Sequence, residues 1–179
     1  MPASPFLLDV QTLRTRTRRH LEDSAAAPDM DAQRATILNL LNEAFATETL
    51  CALRYKHYHH HFSGSDTDAI ALSFGERARE EQGHADMIAQ RIVELNGAPG
   101  FSRDGLISWE QTDEVLSRSF VELVKEVMIV ECITIDIYRD IIRYVSDRDR
   151  GTNLMIAGIL AVEERHAQEM AAQLEALPA

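Results

Sequence analysis

The chain has 179 residues, 45% of them hydrophobic and 26% charged, which gives one domain's length with a sizeable core and excludes a disordered polymer. Its formal net charge of −11, from 29 acidic and 18 basic residues, argues against generic nucleic-acid binding and favours attraction of cations. No apolar run approaches the ~18 residues of a membrane span, so no membrane partner is expected.

Residues 1–30 read as an N-terminal arm and residues 31–179 as the folded body. Segment 6–22 fits a short helix. Arg14, Arg16, Arg18 and Arg19 cluster in the arm, but Asp9, Glu22, Asp23 and Asp29 balance them. Packing between subunits is therefore favoured over DNA binding through the arm. The apolar part precedes the basic part, the wrong order for a secretory signal. Cys51 and Cys132, both expected in buried helices, form no disulfide framework, so a cytoplasmic location is expected.

From Asp31 an apolar helical stripe (Ile37, Leu38, Leu40, Leu41, Phe45, Leu50, Leu53, Tyr55) marks a first long helix to about Phe62. Ser65 or Asp66 then caps a second, which ends at Asn96-Gly97 with Gly97 as the stop. Residues 97–111 break the rhythm and read as a long crossover, since antiparallel neighbours need only a short loop. Thr112 caps a third helix to about Arg148, and Thr152 a fourth to about Leu177. The expected fold class is all-α: an antiparallel four-helix bundle with a long crossover between its second and third helices.

Two Glu-x-x-His segments, Glu81 to His84 and Glu163 to His166, lie 82 residues apart. Glu48 precedes the first by 33 residues and Glu131 the second by 32, each inside an otherwise apolar helix. Residues i and i+3 share a helix face, so each pair can grip one metal. Glu81 and Glu163 can also bridge, with Glu48 and Glu131 as terminal ligands. This oxygen and imidazole set suits two divalent irons, with manganese next. One such match would mean little, because exposed helix faces are rich in Glu. Glu131, however, interrupts Val127-Met128-Ile129-Val130 and Cys132-Ile133, where a charge needs a partner.

Tyr55 and Tyr138 each follow a Glu by seven residues and return to nearly the same face. They are candidates for hydrogen bonding to a ligand carboxylate or for electron donation. Glu80 and Glu164 point about 100° away from the ligands and read as surface groups. The cluster His57, His59, His60 and His61 is either a transient metal stop or a favourable helix C-terminus. His59, eleven residues after Glu48, is the best placed of them.

The segments LLNEAFATETLCALRYKHYHHHF, EEQGHADMIAQRIVELNGAPG and AVEERHAQEM resemble the bacterioferritin family of the ferritin-like superfamily, over about residues 36–177. The resemblance implies Glu48, Glu81, His84, Glu131, Glu163 and His166 as metal ligands, with Tyr55 near the centre. It implies a ferroxidase: Fe(II) is oxidised by dioxygen or peroxide and stored as ferric mineral in a homo-oligomeric shell. Bacterioferritins ligate haem with a Met directly after the first bridging Glu. That position is Gln82 here, which argues against haem. Only 13 residues follow His166, too few for the short fifth helix of that family. The absent fifth helix and the arm are similar to the Dps-like miniferritins, so a dodecamer is favoured over a 24-mer. That hybrid group, Dps-like in architecture with a bacterioferritin-type site, typically carries a cysteine pair near the metals. The rival readings are a manganese catalase or other di-metal oxidase, and a DNA-protecting protein that uses the arm.

Overall fold

The computed structural model describes residues 4–24, 29–62, 68–100 and 119–175, and every element among them is helical. There are five: α1 (Pro5–Ser24), α2 (Met30–Phe62), α3 (Asp68–Glu94), α4 (Phe120–Val145) and α5 (Arg150–Glu175). The helix expected over segment 6–22 is present as α1 and spans 20 residues. Ser4 caps it, its hydroxyl accepting from the Leu7 amide, and Pro5 supplies a preset φ at the first helical position. Phe6, Val10, Leu13 and Thr17, spaced four, three and four apart, bury one face.

The chain divides into two compact units. One comprises residues 1–36 and 102–179, the other residues 37–101. In the first, α4 packs against α5 and α1 against α4. Arg14 of α1 pairs with Asp136 of α4 at 2.7 Å, and Arg18 reaches Asp140 at 3.8 Å. In the second, α2 and α3 pack through Tyr55 and Tyr58 on Phe74. Gly75 lets α3 approach closely: a Cβ there would lie 2.9 Å from the His59 ring.

The helix ends correct three sequence expectations. Thr112 lies outside the described residues, and α4 is capped by Ser119. Its hydroxyl accepts from the Glu122 amide, while the Glu122 carboxylate accepts from the Ser119 amide at 2.9 Å. Asp149, not Thr152, caps α5. Its carboxylate accepts from the Thr152 amide at 3.1 Å and the Thr152 hydroxyl at 2.9 Å. At the end of α3 the left-handed residue is Asn96, with φ 59°, and not Gly97. The Asn96 amide donates to Val93 and the Gly97 amide to Ile92, which satisfies two of the last carbonyls. The expected caps Ser65 and Asp66 and the crossover beyond residue 100 lie outside the described residues.

Gly97 is required for space. A Cβ would sit 2.5 Å from Leu38 Cδ2 and 3.1 Å from the Ile92 carbonyl oxygen, which cannot retreat without opening the α3 end. Gly97→Ala is expected to cost about 1–3 kcal/mol, read as a lower urea midpoint. An unchanged midpoint would show that the contact relaxes freely.

Candidate metal centre

Each long helix buries a seam with alternating steps of three and four residues. In α2 it runs Ile37, Leu41, Ala44, Glu48, Cys51, Tyr55, Tyr58, and in α3 Ala71, Phe74, Ala78, Glu81, Ala85, Ile88, Ile92. In α4 it runs Val124, Val127, Glu131, Thr134, Tyr138, Ile141, Val145, and in α5 Thr152, Ile156, Ile159, Glu163, His166, Met170. That spacing is the 3.5-residue repeat of packed helices. Burying each aliphatic or aromatic member contributes about 1.5–3 kcal/mol. Four glutamates and His166 take seam positions where the repeat calls for an apolar residue, and His84 lies three residues beyond Glu81.

In the α2–α3 unit, Glu48, Glu81 and His84 converge, with one ligand atom of each within 4.8 Å of the others. His84 Nδ1 lies 3.3 Å from Glu48 Oε2 and 3.5 Å from Glu81 Oε2. In the other unit, Glu131 of α4 and Glu163 and His166 of α5 converge within the same limit. There His166 Nδ1 lies 3.6 Å from Glu163 Oε2. All six side chains are at most 5% exposed.

The donor chemistry fits a hard-to-borderline divalent cation. Each triad offers two carboxylates and one imidazole, so the two negative charges of a triad neutralise one divalent ion. Without that ion, two buried carboxylates side by side would pay desolvation and mutual repulsion. Among the described residues no thiolate joins either triad, which disfavours the sulfur-preferring metals.

A family model for the Ferritin-like domain matches residues 38–179. The chain belongs to the ferritin-like family. The bacterioferritin of Desulfovibrio desulfuricans is 25% identical over 141 residues, 78% of this chain and 75% of that one. An X-ray structure of that bacterioferritin, described with a diiron site, superposes with a TM-score of 0.73 at 22% identity, covering 83% of this chain and 84% of that one. A dodecameric thioferritin, the bacterioferritin-related protein of Bacteroides fragilis, gives a TM-score of 0.69 at 27% identity over 79% of this chain and 86% of that one. The chain is thus a ferritin-like protein with bacterioferritins among its relatives.

Other residues of this ferritin-like chain fall into place around the seams. Tyr55 and Tyr138 are fully buried one heptad beyond Glu48 and Glu131. His59, eleven residues after Glu48, is half-buried near the end of α2. Its ring nitrogen Nδ1 lies 2.7 Å from the Ala71 carbonyl oxygen, and the ring lines a surface groove with Lys56, His60 and Arg79. Burial, then the Arg54 charge, lowers the His57 pKa and favours its neutral form. Among the described residues, no metal cluster includes His57, His59, His60 or His61.

Cys51 is buried in the α2 seam, but Cys132 is exposed, contrary to expectation. It follows Glu131 by one residue and so turns about 100° off the seam. Glu80 is exposed, and Glu164 pairs with Arg139 at 2.7 Å. Gln82 is exposed and donates to Asp86 at 3.0 Å. Four buried charges are not evident from the sequence: Asp9, Arg54, Arg77 and Glu126. The signal for Arg77 was available, since it precedes His84 by one heptad.

Proposed function

We propose that this chain is a di-iron ferroxidase and iron-storage protein. The observation that carries the reading is the pair of buried Glu/Glu/His triads on repeat-related helices, each matched in charge to one divalent ion. Glu81 and Glu163 are proposed as bridging ligands, Glu48 and Glu131 as terminal ones, with His84 and His166 holding one ion each. Iron supplies the one-electron redox chemistry when bound. The protein fixes ion spacing, excludes water and balances charge. Two Fe(II) give two electrons, reducing dioxygen to peroxide or peroxide to water with uptake of two protons. The Fe(III) product passes to a mineral store. Tyr55 and Tyr138 orient ligand carboxylates or supply an electron.

Further parts of the proposal concern assembly and setting. Residues 1–30 act as an arm on an antiparallel four-helix bundle of residues 31–179. The shell is a homo-oligomer, with a dodecamer favoured because a relative of this chain is described as dodecameric. Among the described residues no helix is long and apolar enough to cross a membrane. A cytoplasmic setting is proposed. Haem has no place in the proposal, since Gln82 offers an amide in place of a thioether. DNA binding ranks last: Arg14 and Arg18 are engaged by Asp136 and Asp140 within the chain.

Native mass by light scattering, with metal content on the same sample, tests the reading. The expected particle is about 240 kDa, twelve chains of 20.2 kDa, with at least two irons per chain. A hexamer or smaller species carrying manganese would replace storage with a catalase-type reaction. Tyr55→Phe is expected to keep both ions and slow Fe(II) oxidation about tenfold. Loss of an ion in that variant would show that the hydroxyl holds the site together.

A further inference from the structure

The four histidines near the end of α2 stand outside both triads, and they are not equivalent. His57 and His61 lie about one turn apart on one face of the helix. Their rings are parallel to within 2°, with centroids 6.4 Å apart. His59 and His60 lean on each other instead, at 5.1 Å with a tilt of 53°, and both line the groove beside α3. His57 is half-buried and His61 is exposed. Among the described residues, the buried Nε2 of His57 has no hydrogen-bond partner. A buried ring nitrogen in that state costs free energy until a partner satisfies it.

We infer that His57 and His61 together bind one borderline transition-metal ion, copper(II) or zinc(II) in class, at a site separate from the two triads. The donors select that class. The pair offers two imidazoles, and among the described residues no Asp, Glu or Cys completes a group of three around them. Imidazole without carboxylate suits copper and zinc, whereas hard ions such as magnesium and calcium require oxygen donors. Copper(II) also binds nitrogen donors more tightly than iron(II) does, so the pair discriminates against the ion proposed for the triads. Water fills the remaining coordination positions. The two rings stand in parallel about one turn apart, and their outer torsion χ2 is broad. Rotation about it turns a nitrogen of each ring toward the space between them. Such an ion needs neutral imidazole. His57 meets that need, because burial, then the Arg54 charge, favours its uncharged form. The Arg54 charge also repels a bound cation, while the C-terminal end of α2, one residue beyond His61, attracts it. The pair lies wholly within α2, so the inference does not depend on the di-iron reading.

Copper(II) is the probe, titrated into the full-length protein and read by electron paramagnetic resonance. Each triad offers a single imidazole, so hyperfine coupling of one ion to two imidazole nitrogens marks the histidine pair and not a triad. That signal is expected in the native sequence, absent from His57→Gln and from His61→Gln, and retained in His60→Gln. Removing either ligand is expected to weaken copper binding at this site at least about tenfold, the loss that even an outer-shell partner of a metal gives. Helix content by circular dichroism is expected to be unchanged. His61 is exposed, so His61→Gln decides the matter should His57→Gln misfold. A two-nitrogen signal that survives in His61→Gln would overturn the inference. So would its absence from the native protein saturated with copper, or its loss in His60→Gln alone.

Discussion

Glu131→Ala is expected to bind one metal ion per chain in place of two and to oxidise Fe(II) at least about 100-fold more slowly. Glu131 is the carboxylate that α4 contributes to the triad of Glu163 and His166, and it is buried in the seam of an otherwise apolar helix. Alanine keeps the helix, so the effect should be confined to the site. The remaining carboxylate and imidazole give one triad half its charge balance, too little to retain a divalent ion against water. The two-electron reaction then lacks its paired donor. Anaerobic Fe(II) titration followed by stopped-flow oxidation reads both quantities. Two ions bound with an unchanged rate would remove Glu131 from the ligand set.

Metal loading should stabilise the fold strongly. Four buried glutamates, each at most 2% exposed, carry desolvation and repulsion that bound cations relieve. At a free ion concentration a hundredfold above Kd, each site contributes about 2.7 kcal/mol. In a domain of this size that corresponds to a thermal midpoint raised by about 5–10 °C per ion. Manganese(II) is the convenient probe, since it occupies such sites without being oxidised in air. Chelation should reverse the rise, and Glu131→Ala should show about half of it. Equal midpoints with and without the ion would mean that the triads are not metal sites.

The positions of the proposed ligands were legible in the sequence because a charge inside an apolar helix is conspicuous. Glu131 between Val130 and Cys132 and the paired Glu-x-x-His segments each marked a seam position by chemistry alone. The helix ends were less legible, because several residues near each end are competent caps. Ser119 won at α4, where Glu122 completes a reciprocal pair that Thr112, with Val115 three residues on, lacks. Asp149 won at α5 because its carboxylate serves both the amide and the hydroxyl of Thr152. Cys132 was misplaced for a different reason. An apolar composition says that a helix is buried, but only the phase of its three-four repeat says which face.

The end of α3 also bears on how this protein ages. Asn-Gly is the dipeptide most prone to deamidation, since the glycine amide nitrogen attacks the asparagine side chain to form a succinimide. Here the Gly97 amide is committed to the Ile92 carbonyl at 2.9 Å, and Asn96 is fixed in the left-handed conformation. The attack therefore waits for the last turn of α3 to fray. Isoaspartate at this position, measured by peptide mapping during storage, should accumulate at a rate that reports how often that turn opens.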